Sequence, residues 1–205
     1  MIALDKQDSG LWVVTIDRPE KANSLTLEML TKLADIAEEA QDARALILTG
    51  VGKVFSAGAD LEEARAGLAT NAVWERLSGA IAALPGLSIA ALNGTLAGGA
   101  MGMALACDLR LSVSNAKFFY PVMKLGFLPQ PSDPTRMEAL IGPARTKLIL
   151  MGGQKITAQE AYQFGLVDRI VEGDSLLEAA IDIATDTIAA KSEIASGIKR
   201  LCQRT

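Results

Sequence analysis

The stretch NGTLAGGAMGMALACD, residues 93–108, decides how this chain folds. Asn93-Gly94 is a turn dipeptide, and it follows the short apolar run Ser88–Leu92, which reads as a buried strand. Ala100–Ala106 beyond it reads as a helix of small and unbranched residues. The small residues between, Ala97-Gly98-Gly99, let backbone approach a neighbour or a ligand closely. A helix that starts on such a loop aims unpaired N–H groups, and the positive end of its dipole, at whatever lies there.

The same pattern of strand, glycine-rich turn and helix recurs outward from this point. Ala45–Thr49 is a short apolar run ended by Gly50, the signature of a strand buried on both faces. Phe55-Ser56-Ala57-Gly58-Ala59-Asp60-Leu61 then opens a second small-residue loop, with Asp60 placed to cap the next helix. Upstream, Leu11–Asp17 reads as a strand ended by Arg18-Pro19. Thr26 caps a helix that buries Leu27, Leu30, Leu33, Ala34, Ala37 and Ala40. A helix is predicted over Asn71–Leu84 and a strand over Arg110–Val113. Helices follow at Pro134–Ile141, Pro143–Met151 and Ala158–Gln163, then a strand at Val167–Val171 and an amphipathic helix from Ser175 to Lys199. Alternation of this kind predicts an α/β fold, mostly parallel, with the core over residues 1–142 and a helical C-terminal extension over 143–205.

Composition narrows the chemistry. The 205 residues are 50% apolar and 21% charged, which is that of a globular protein with a real core. There is no histidine, which excludes Ser-His-Asp and Cys-His triads and imidazole metal ligands. Ser56 resembles a nucleophile elbow but lacks the first glycine and any histidine to activate it. The dinucleotide fingerprint would need glycine at position 97, where Ala97 stands. Cys107 and Cys202 have no metal-ligand or CxxC spacing, so no metal site is expected. With 20 basic and 24 acidic residues and no basic cluster, nucleic acid is not an expected partner. No apolar run is long enough for a membrane span, and Met1–Asp5 does not begin a signal peptide, so a cytoplasmic location is expected.

Taken together, Asn23-Ser24-Leu25, FSAGADL at 55–61 and NGTLAGGAMGMALACDLRL at 93–111 resemble the crotonase (enoyl-CoA hydratase/isomerase) superfamily. The likeness continues through 116–126, 142–153 and AQEAYQFGLV at 158–167. The resemblance implies the crotonase-like spiral of ββα units shared with ClpP. It implies an acyl-CoA thioester as substrate, no permanently bound cofactor, and a homo-oligomer, a trimer or dimer of trimers. The family's oxyanion amides fall on Ala59 and Gly99, where they would stabilise a thioester enolate. The substrate path falls on Lys21 and Ala22 beside the nucleotide, on Ala57, Gly58, Asp60 and Leu61, and on Ala97, Gly98, Pro121, Val122 and Gln130.

Three positions depart from the family. Its two acid/base glutamates match Gly102 and Val122, and an alternative acid position matches Gln130. None of these residues exchanges a proton near neutrality. Standard hydration is therefore not expected. Two readings stay open: an enolate-forming thioester enzyme of fatty-acid metabolism, or a CoA-ester-binding or assembly protein without catalysis. Among possible replacements, Asp133 reads as a helix cap before Pro134, Tyr120 as a core aromatic, Glu62 and Glu63 as dipole-matched first-turn acids, and Asp108 as a turn-fixing carboxylate. Relatives are expected to continue past the region matching 198–201, so the C-terminal extension is expected to be shorter than usual.

Overall fold

A computed structural model describes residues 1–202. The chain runs β1 (Ile2–Lys6), β2 (Leu11–Ile16), α1 (Leu27–Glu39), β3 (Ala45–Gly50), β4 (Val54–Ser56), α2 (Leu61–Arg65) and α3 (Val73–Ala82). It continues through β5 (Leu87–Leu92), β6 (Thr95–Ala97), α4 (Met101–Ala106), β7 (Leu109–Val113), β8 (Lys117–Phe119) and α5 (Val122–Leu125). It closes with α6 (Asp133–Leu150), β9 (Ile156–Thr157), α7 (Ala158–Phe164), β10 (Arg169–Val171), α8 (Leu176–Ala189) and α9 (Ser192–Cys202).

Two sheets organise these elements. The larger has the order β1-β2-β3-β5-β7-β10 and is parallel except for the β1–β2 hairpin. The smaller has the order β4-β6-β8-β9, parallel apart from its last pair. The α/β class and the parallel majority agree with the sequence reading. Strands β3 and β5 are buried along nearly their whole length, as their unbroken apolar runs require. Thr26 caps α1 by accepting a hydrogen bond from the Met29 N–H at 3.2 Å.

The repeat is β–β–α. A long strand of the large sheet is followed by a three-residue strand of the small one, then by a helix: β3-β4-α2 and β5-β6-α4. The sequence reading missed the small sheet, assigning its strands to loops. Three residues carry no period, and such strands form only because β4, β6 and β8 pair with one another. The N-terminal strand β1 was also unread. The expected helix Ser175–Lys199 divides into α8 and α9, and the helices expected on either side of Gly142 form one element, α6, kinked there.

The part after Gly142 is mostly helical, yet it contributes β9 to the small sheet and β10 to the large one. Arg110 ties it down. Its side chain, 3% exposed, donates from Nε to Leu166 O at 2.9 Å and from Nη1 to Cys107 O at 2.8 Å, and Nη2 pairs with Asp168 at 3.1 Å. Asp108 works in the same region: its Oδ2 accepts from the Ser88 N–H and from Lys199 Nζ, both at 2.8 Å. Asp108, expected to fix the turn into the Arg110–Val113 strand, instead ties that turn to Ser88 of β5 and to Lys199 of α9.

Two glycines separate space from propensity. A Cβ on Gly94 would lie 2.0 Å from Lys53 O, whereas one on Gly79, mid-way along α3, meets nothing within 4 Å. Gly79→Ala should therefore raise unfolding stability by about 0.5–1 kcal/mol. Gly94→Ala should lower it by about 3 kcal/mol or prevent folding. Denaturant titration of the two variants measures both.

Candidate functional site

The two glycine loops, far apart in sequence, touch backbone to backbone. A Cβ on Gly58 would lie 2.9 Å from Ala97 O and 3.4 Å from Gly98 Cα. Gly58 has φ +92° and Gly98 φ +59°, so both use the left-handed region, and Gly58 needs the missing side chain as well. The first loop is held by an isolated bridge to residue 25. The Leu25 N–H donates to Gly58 O and the Asp60 N–H to Leu25 O, both at 2.8 Å. These bonds straddle Ala59 and leave its own N–H out of the ladder. Gly99 sits in the single 3-10 turn that leads into α4, where the first N–H groups have no intrahelical acceptor. Trp74 of α3 packs over Gly99, with ring atoms 3.3 Å from where a Cβ would stand.

Ala57, Ala59, Gly98 and Gly99 line one apolar cavity of about 230 Å³. Its facing wall is Tyr120, Pro121, Val122 and Gln130. A second, more polar cavity of about 540 Å³ adjoins it, sharing Ala57, Ala59 and Leu61, and holds Arg18, Lys21 and Ala22. Gly58 and Ala97 lie behind this surface, where their backbones set the loop contact. Asp60 lines the polar cavity but is already engaged. It pairs with Arg18 at 2.8 Å and accepts the Glu62 N–H at 3.1 Å, and the Arg18 hydrogen bond holds its carboxyl below the usual range. Lys21 is exposed at the rim. Gln130 is anchored by donating from Nε2 to Ala69 O at 2.9 Å. Ser56 is buried and donates to Asn23 O at 2.8 Å, a structural role.

The sequence reading missed Arg18, taken only as the end of a strand, and Trp74, taken only as part of a helix. Leu125, Phe127 and Leu128 also line the apolar cavity without having been singled out. No short-range signal marks these residues; only the crossing of the loops gathers them.

Asp133 requires a correction. The cap of α6 is Ser132, and Asp133, the first residue of that helix, turns its side chain inward and is fully buried. Its Oδ2 accepts a hydrogen bond from the Tyr120 hydroxyl at 3.0 Å, and its Oδ1 has no partner among the described residues. A Cβ on Gly102 would stand 2.6 Å from that Oδ1. The carboxyl thus fills the space that a side chain on α4 would need. Burial pushes the Asp133 carboxyl up to about 7, with the Glu75 charge adding to the rise, while the Tyr120 hydrogen bond and Arg136 act against it. Burial, with the Asp133 charge behind it, also raises the Tyr120 hydroxyl well above its usual range. Tyr120, expected to be a core or pocket-wall aromatic, is both buried and in the wall.

Solved structures share this fold. The enoyl-CoA hydratase of Bacillus anthracis superposes with a TM-score of 0.88 over 97% of this chain and 81% of that one, at 33% identity. Fold and site together therefore define a crotonase-type protein. A family model described as enoyl-CoA hydratase/isomerase matches residues 6–204, and the chain belongs to that family. Among relatives, the short-chain-enoyl-CoA hydratase of Clostridium acetobutylicum is 35% identical over 90% of this chain and 74% of its own length. The crotonyl-CoA hydratase of Syntrophomonas wolfei is 34% identical over 95% of this chain and 77% of its own. Family membership supports acyl-CoA processing at the family level. No helix among the described residues is long and apolar enough to cross a membrane.

The raised carboxyl has a measurable consequence. Between the Asp133 values of 3.8 when unfolded and about 7 when folded, the folded state keeps a proton that the unfolded state gives up. Stability is therefore highest at the acid end of this window and falls as pH rises through it, by up to about 1.4 kcal/mol per pH unit. Asp133→Asn should flatten that slope, which urea titrations at a series of pH values would reveal.

Proposed function

We propose that the apolar cavity holds the acyl end of a coenzyme A thioester, whose carbonyl oxygen is received by the N–H groups of Ala59 and Gly99. The observation that carries this reading is the meeting of the two glycine loops in one cavity. Donors aimed at an oxygen that gains charge as an enolate forms are worth about 10²–10³-fold each in rate. The adjoining polar cavity would take the rest of the substrate: Lys21 offers positive charge to phosphates, Arg18 being paired with Asp60, and Ala22, Ala57 and Leu61 border the path between. Pro121, Val122 and Gln130 would bound the acyl group. At about 230 Å³ the apolar cavity is smaller than the ~300–1,000 Å³ that encloses drug-sized ligands, which favours a short acyl chain.

Hydration of the usual kind does not fit the residues present. Glycine stands at 102, valine at 122 and glutamine at 130, so no carboxylate comes from the positions the family uses. An enolate-based reaction in fatty-acid metabolism, such as isomerisation, decarboxylation or thioester hydrolysis, suits the site better. The same three residues favour a second reading, a CoA-ester-binding or assembly protein of this fold. We also infer a cytoplasmic homo-oligomer, a trimer or dimer of trimers, from family membership alone.

Calorimetry should show saturable binding of acetyl-CoA, weakening as the acyl chain lengthens; absence of binding would remove this reading. Crotonyl-CoA should be hydrated little above a blank, and turnover like that of a glutamate-bearing hydratase would refute the argument from the empty positions. Restoring the glutamates should need space as well as charge. Gly102→Glu with Val122→Glu should stay inactive, because Asp133 blocks position 102. Adding Asp133→Gly should let crotonyl-CoA hydration appear.

A further inference from the structure

We propose that Tyr120 and Asp133 form the proton-transfer unit of this cavity, with Tyr120 touching the substrate and Asp133 acting through it as a positioning and proton-holding residue. This rests on the acyl-thioester reading above and deepens it.

Three observations converge. Tyr120 lines the cavity together with Ala59 and Gly99, which places it beside the same space as the two amides. Its hydroxyl donates to Asp133 Oδ2 at 3.0 Å and receives the Gln130 N–H at 3.4 Å, so it is held from two sides. Asp133 is wholly buried, with Oδ1 unpartnered among the described residues, and its carboxyl occupies the volume beside Gly102. A buried carboxyl with an empty acceptor is costly, and a fold keeps one where it has a use for it. At Gly102 α4 carries no side chain, and the carboxyl of Asp133, from α6, stands in that space behind Tyr120.

The step balances without any added reagent. The C–H bond at the thioester α-carbon breaks, and its electron pair moves into the carbonyl to give the enolate at the two amides. The proton bonds to Tyr120 Oη while the hydroxyl proton of Tyr120 passes to Asp133 Oδ2. Reversal returns a proton to carbon. Tyrosine alone cannot serve, since burial makes its phenolate harder to form. Asp133 can, because its carboxyl titrates near about 7. The charged groups around Asp133 are Glu75 of α3, which favours the neutral acid, and Arg136 of α6, which favours the carboxylate; α4 presents only Gly102.

The test is exchange of the α-protons of butyryl-CoA in heavy water, followed by NMR, beside calorimetric binding of the same thioester. The full-length protein should bind and exchange, with a rate that rises with pH through about 7. Asp133→Asn, which keeps size and shape, should bind with affinity within about threefold, yet lose about 10²–10⁴-fold in exchange together with the pH step. Tyr120→Phe should lose as much, and the double variant no more than either single, because the two act as a unit. Gly102→Ala, which presses a methyl against Oδ1, should slow exchange from the opposite side. Exchange within about twofold of the parent in either single variant, or a pH step that survives Asp133→Asn, would overturn the proposal. Binding without any exchange by the parent protein would overturn it too while leaving thioester binding intact. Absence of acyl-CoA binding would overturn both.

Discussion

The contact between Gly58 and Gly98 is the constraint on which the site depends. Two loops from different β–β–α units meet where a Cβ on Gly58 would fall 2.9 Å from a carbonyl oxygen. Nothing larger than hydrogen fits at that contact, and the backbone of both residues lies at positive φ. The large parallel sheet fixes where each loop leaves its strand, and the small sheet holds the departing chains together. The large sheet can absorb variation in its apolar residues, because volume-conserving exchanges in a core cost little. The crossing cannot, because it is made of main chain.

A second vacancy has the opposite outcome. At Gly102 the absent side chain leaves room that the protein fills with a carboxyl from another helix. The first vacancy brings two backbones together; the second admits a charged group into an apolar interior, where it raises its own proton affinity. Gly98, which receives Gly58 at the first contact, and Gly102, the second vacancy, belong to one short segment, residues 98–102, in which glycine recurs. In this chain, hydrogen in place of a side chain helps shape the cavity.

How much of this could be read beforehand follows physical lines. The central strands β3 and β5 of the large sheet were legible because burial on both faces leaves unbroken apolar runs, as in Ala45–Thr49, whereas β1, largely exposed, was not. The helix at Leu27 was legible from period and cap. Strands β4, β6 and β8 were not, because three residues cannot display a period and their pairing is wholly tertiary. Asp133 misled for a local reason: an acid before proline looks like a helix cap, and only the empty space at Gly102, distant in sequence, draws it inward. Arg18 and Trp74 were hidden likewise, since each serves an ordinary local purpose and joins the cavity only through the crossing of the loops.

Arg110 has a consequence for how the chain is made. Its guanidinium is bonded to Cys107 O nearby, but two further partners, Leu166 O and Asp168, and the strand β10 that covers the edge of β7, come from later in the chain. A nascent chain that has left the ribosome only as far as α6 carries neither. It exposes an open parallel edge and a cation meant for burial, a template on which other unfinished chains can pair. Completion of the sheet and neutralisation of that cation then occur in one stroke. Residues 166–171 supply both the missing strand and the late partners of Arg110.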